Sequence, residues 1–169
     1  MQTNFQLGMR IFISLLAIGL LTLGFVFPTA SFTENGITSE LYLTKECISI
    51  DNLDKECGEN SSIFRKHLWA LYGIYISLII LISLGYIACA LKYMVLCDVI
   101  GILILGLSIT VIIMLALIYN FHRGTIYYKL SPTSILIMIA CIGLVLHQLA
   151  CNKLLHKTFM GPIRMITRK

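Results

Sequence analysis

The side chains in this chain best suited to chemistry are six cysteines and four histidines. Cys47 and Cys57 stand ten residues apart in a polar, acidic stretch. That spacing suits a disulfide better than a metal: the short Cys-to-Cys step of a zinc site is missing, and no histidine pair accompanies it. A bridge closing so short a loop contributes about 2–3 kcal/mol by restricting the unfolded chain, and matters most to a small fold. Cys89, Cys97 and Cys151 lie at the ends of apolar runs. Thiols there are candidates for acylation with palmitate, or are simply buried. His147 sits inside an apolar run, where one imidazole without a carboxylate partner reads as a helix-to-helix hydrogen bond rather than a proton relay. The sequence has no glycine-rich phosphate loop, Ser-His-Asp set, paired catalytic carboxylates or metal cluster. The expectation is a protein with no catalytic residues, no metal and no cofactor.

The elements that must position these residues are set by composition. The chain has 169 residues, of which 58% are hydrophobic and only 12% charged, with a mean hydropathy of +0.89. Soluble domains are about a quarter charged, so the balance points to lipid. Four uncharged runs are long enough to cross a bilayer as helices, at about 11–27, 68–91, 99–121 and 130–152. In lipid each backbone group must be bonded internally, so each run is expected to be helical. The first run resembles a signal peptide in having Arg10 before it and Ala30 after it, but Pro28 occupies the place where cleavage wants a small residue. It is read as a retained span. The expected fold class is an all-α membrane protein, a four-helix transmembrane bundle with a small antiparallel sheet, forming one domain over 1–169. The net charge of +5 is dispersed at the ends of the runs, which speaks against nucleic acid as a partner.

Seven of the eight acids fall in the loop 28–67. The Lys and Arg count across the loops is nearly balanced, so other features set the orientation. Asn60-Ser61-Ser62 is a glycosylation acceptor, which is used only on the lumenal side, and paired cysteines suit an oxidising compartment. The loop 28–67 and a shorter second loop, 122–129, are therefore expected outside the cell. Both termini are expected in the cytoplasm. The tail 153–169 alternates apolar residues with Lys153, Lys157, Arg164, Arg168 and Lys169, a pattern suited to anionic lipid.

Within the first loop, Asn35-Gly36 between Ser31–Glu34 and Ile37–Leu43 predicts a β-hairpin, because both positions of the favoured turn need positive φ. Imperfect alternation through Ile37, Ser39, Leu41 and Leu43 predicts one half-buried face. On the helices, Gly73 with Ser77 and Gly106 with Thr110 form small-residue pairs that allow close helix approach. The simpler expectation is packing within the bundle; the sharper one is a face for a partner.

This layout resembles the superfamily of peripheral myelin protein, epithelial membrane protein and claudins. The superfamily's loop signature is Gly-Leu-Trp followed by two cysteines about ten residues apart. Glu40-Leu41-Tyr42 stands at the place of the triplet, ahead of Cys47 and Cys57, and Arg65 precedes the second span as an arginine does there. The third span ends Ala116-Leu117-Ile118-Tyr119, and Tyr127 and Tyr128 precede the fourth. Two departures stand out: Tyr42 replaces the signature tryptophan, and the chain ends Thr167-Arg168-Lys169 without a claudin's junctional tail. The only tryptophan, Trp69, falls at a span boundary, where it suits an interfacial anchor. The resemblance implies a claudin-like, non-enzymatic plasma-membrane protein. It would bind other integral membrane proteins, such as a channel, a receptor or a same-family protein, as an auxiliary subunit or cell-surface contact protein. It also implies acylation near Cys89, Cys97 and Cys151. The alternatives are an adhesion or paracellular pore-forming junction protein, a cell–cell contact factor (gamete contact included), and a membrane thiol oxidoreductase.

Overall fold

The computed structural model describes residues 4–34, 36–50, 55–59, 65–120, 122–123, 126–127 and 129–152. Four helices carry the fold: α1 (Asn4–Leu23), α2 (Arg65–Ala90), α3 (Met94–Asn120) and α4 (Pro132–Cys151). Three of them, α2, α3 and α4, are long and apolar enough to cross a bilayer, as befits a helical membrane protein. The apolar stretch of α1, Ile11–Leu23, is shorter. Each helix packs on its neighbours in the ring α1–α2–α3–α4, with α1 meeting α2 least. The core between them includes Leu21, Leu71, Tyr75, Leu78, Val111, Leu115, Ile137 and Leu144. Many large apolar side chains point outward, among them Phe12, Ile80, Leu103 and Ile139, giving the bundle an apolar exterior. In lipid such burial yields little hydrophobic gain, so close packing must hold the helices together.

Glycines mark where that packing is tightest. The first run was expected to remain helical to about Phe27, but α1 stops at Leu23. A Cβ on Gly24 would lie 2.7 Å from Tyr75 and 2.9 Å from Ile137. The chain therefore needs glycine at this crossing, and it turns immediately after it, with Val26 N–H donating to the Leu23 carbonyl at 3.0 Å. Phe25 then sets its ring edge-on to Tyr72 and Tyr75, at 5.3 and 6.0 Å. At the other end, a Cβ on Gly101 of α3 would strike the Gln148 carboxamide and come within 2.8 Å of Asn152 Nδ2. Asn152 donates to the Asp98 carbonyl at 2.7 Å, tying the end of α4 to the start of α3.

The expected small-residue pairs do not pack within the bundle. Gly73 and Gly106 have open space where a Cβ would sit. Ser77 and Thr110 are exposed and donate back to the Gly73 and Gly106 carbonyls, each at 2.9 Å. Both pairs belong to the outer surface.

At one end stands a five-stranded antiparallel sheet. Four strands come from the loop between α1 and α2: β1 (Ala30–Glu34), β2 (Ile37–Leu41), β3 (Lys45–Ile50) and β4 (Glu56–Glu59). The loop between α3 and α4 contributes a two-stranded ribbon, β5 (His122–Arg123) with β6 (Ile126–Tyr127), and then β7 (Lys129–Leu130). The sheet order is β4-β3-β2-β1-β7, so the second loop completes a sheet begun by the first. The predicted hairpin is present, with Glu34 paired to Ile37 and Gly36 at φ 80°; its partner in the turn, Asn35, lies outside the described residues.

Candidate functional site

A buried polar junction fixes the sheet to the bundle. Thr29, just before β1, donates its N–H to the Leu41 carbonyl at 2.6 Å. Its own carbonyl accepts from Ser131 N–H at 3.1 Å and from Ser134 Oγ at 2.9 Å. Ser131 is also the N-cap of α4: its hydroxyl accepts from Ser134 N–H at 3.2 Å, and Pro132 opens the helix. A serine cap followed by proline satisfies one orphan donor and removes another, which sets where α4 begins. The exit of α1, the sheet and the entry of α4 thus share a single carbonyl.

Strand register sorts the side chains between two faces, since directly paired residues share a face. Ala30, Leu41, Ser39, Ile37, Ile48 and Ile50 lie on one face. Its inner end, Ala30 and Leu41, is buried and joins the bundle core, as does Leu43 just beyond β2. Its outer end leaves Ile37, Ile48 and Ile50 exposed, with Ile37 directly opposite Ile50. The predicted half-buried face is therefore buried toward the helices and bare away from them. The sequence pattern could not show where that change falls, because the residues on either side of it are equally apolar.

The opposite face carries the disulfide and a charged cluster. Cys47 and Cys57 are direct partners across β3 and β4, with Cα atoms 4.1 Å apart, and are bonded as expected. Tyr42 has two cations over its ring: Lys45 Nζ is 5.1 Å and Lys55 Nζ 5.4 Å from its centre. Its hydroxyl donates to Glu40 at 2.9 Å, and Lys55 pairs with the same carboxylate. The Lys55 ammonium holds the Glu40 carboxyl below the ordinary carboxylate range, aided by Tyr42 and opposed by partial burial. The same contacts, Glu40 first, raise the Lys55 amine. Lys55 was missed in the sequence. It stands thirteen residues from Tyr42, and no short motif links the two.

The remaining predicted residues are more scattered. Leu41 is wholly buried. Arg65 opens α2 and pairs with the exposed Glu59 at 3.1 Å. Asn60 and the tail 153–169 lie outside the described residues. Cys89, Cys97 and Cys151 all lie at the end of the bundle away from the sheet. Cys97 is buried, whereas Cys89 and Cys151 are half-buried. Cys151 lies against His147, Sγ to Nδ1 at 3.7 Å. Among the described residues no His, Cys, Asp and Glu side chains cluster in a way that could hold a metal.

A cavity of about 320 Å³ opens between the helices at this same end. Its walls are mainly apolar, with Ser14, Tyr86, Cys89 and Gln148 supplying polar atoms. Comparison with protein-family models gives no match, and comparison with curated proteins gives none either. The functional reading therefore rests on the residues themselves.

Proposed function

We propose that this chain is a four-span, claudin-like plasma-membrane protein with no enzymatic role. It binds other integral membrane proteins in the same membrane as an auxiliary or cell-surface contact subunit. In this reading α1 is the fourth span, both termini are cytoplasmic, and the sheet stands outside the cell with Asn60 glycosylated. The observation that carries the reading is the sheet itself: a disulfide-stapled platform whose outer end exposes Ile37, Ile48 and Ile50. Exposed β-branched residues side by side on paired strands favour a protein contact over bare water. The outward Gly73–Ser77 and Gly106–Thr110 pairs add two places where a partner helix can approach closely in lipid.

Crosslinking in native tissue, followed by purification in mild detergent and identification of what copurifies, tests this. A defined membrane-protein partner is expected. Ile48→Asp with Ile50→Asp should lose it while the Cys47–Cys57 bridge and surface delivery persist. Recovery of isolated monomers alone would overturn the proposal, and ion currents from the purified protein in planar bilayers would favour a pore instead.

A further inference from the structure

The turn between α2 and α3 brings two more cysteines together. α2 ends in a Schellman motif: Tyr93 N–H donates to the Ala88 carbonyl at 3.0 Å, and Lys92 N–H to the Cys89 carbonyl at 3.1 Å. Lys92 takes the left-handed position at φ 62°, a place usually given to glycine. This reverses the chain within three residues, so that α3 lies against α2 and Cys97 faces Cys89. Their sulfurs are 2.6 Å apart. A disulfide bond is about 2.0 Å long, so roughly half an ångström of approach joins them. The two sites differ in access: Cys97 is buried, with Gly85 O 3.9 Å from its sulfur, whereas Cys89 is half-buried and borders the cavity with Met94 and Ala90.

We propose that Cys89 and Cys97 form a reversible dithiol site, oxidised by exchange with a low-molecular-weight disulfide of the glutathione type. The accessible Cys89 thiolate attacks one sulfur of the small disulfide. A mixed disulfide forms on Cys89, and one small thiolate leaves and takes a proton. The Cys97 thiolate then attacks the Cys89 sulfur, forming the Cys89–Cys97 bond and releasing the second small thiol. Two protein thiols and one small disulfide become one protein disulfide and two small thiols, and reduction runs the same steps backward. The product staples the α2–α3 turn and removes both cysteines from acylation. In the orientation proposed above this end faces the reducing cytoplasm, where the pair rests as thiols and is oxidised only when the disulfide fraction rises.

The experiment equilibrates the full-length protein, in mild detergent, with graded mixtures of reduced and oxidised glutathione. Free thiols are then mapped by alkylation and peptide mass. Cys89 and Cys97 are expected to lose alkylation together, with their peptides joined and free of glutathione, and to regain it together on reduction. Cys97→Ser should convert the glutathione adduct on Cys89 from a trace to the main species, while Cys89→Ser should leave Cys97 unmodified. Wild-type protein settles the matter without any variant: both thiols alkylating at every ratio, or a lasting glutathione adduct on Cys89, overturns the proposal. None of these readouts depends on a binding partner.

Discussion

The two ends of the bundle each hold a cysteine pair close in sequence, yet only one pair is bonded. Cys47 and Cys57 face each other on paired strands, where the ladder itself fixes the two Cα atoms at 4.1 Å. Cys89 and Cys97 sit on separate helices joined by a tight turn, with their sulfurs 2.6 Å apart. The difference follows from what surrounds them. Among the described side chains of β1 to β4 only Ala30, Ser39, Leu41 and Cys47 are buried, so covalent closure supplies much of the rigidity of this small sheet. The helical end is already held by the Schellman turn, by Asn152 on Asp98 and by the close contact at Gly101, so a bond there is optional. A bond that the fold does not require is free to follow its redox surroundings.

Removing the bridge tests this contrast most severely. Replacing Cys47 and Cys57 together with serine should destabilise the sheet by about 2–3 kcal/mol, read as a lower melting temperature in detergent and faster amide exchange in β2 and β3. The same change at Cys89 and Cys97 under reducing conditions should cost far less; an equal loss would break the comparison. Ser131→Ala removes the hydroxyl that caps α4 but keeps the backbone N–H that donates to the Thr29 carbonyl, at a cost of about 1 kcal/mol, visible as earlier exchange at the start of α4. Lys92→Gly should work in the opposite direction, raising stability by about 0.5–1 kcal/mol by relieving a left-handed lysine without moving Cys89 from Cys97.

The smallest effect concerns the charged face. Glu40 is held below its ordinary range, so its contribution is present above the unfolded carboxylate's pKa and is lost as pH falls through the lower folded value. Lys55 is raised, so its share is present below the unfolded amine's pKa and is lost as pH rises through the higher folded one. The pair is partly exposed and should be worth no more than about 1 kcal/mol between those limits. Glu40→Gln should lower neutral stability by up to about 1 kcal/mol and flatten the acid limb of a stability-against-pH curve, with the two curves meeting at low pH.

What the sequence discloses depends on how local the cause is. The three long apolar helices are legible because hydropathy is local, and the hairpin because Asn35-Gly36 carries its own turn chemistry. The disulfide follows from two cysteines in one polar loop. The end of α1 is not legible from its apolar run, because Gly24 is required by Tyr75 and Ile137, residues far along the chain. Nor is β7 legible: Lys129 and Leu130 are too few to signal a strand, and only pairing with Ser31 and Ala30 makes them one. The outward direction of Gly73 and Gly106 is hidden for another reason. Inner and outer faces of a lipid-embedded helix are both apolar, so periodicity does not separate them. Cys89 and Cys97 meet through a turn centred on a lysine, where a reader of sequence looks for glycine.

The Thr29 carbonyl ties the segment between α1 and β1 to the first turn of α4. Ser131 N–H and Ser134 Oγ both end on that one atom, so whatever fixes the position of β1 also fixes where α4 begins.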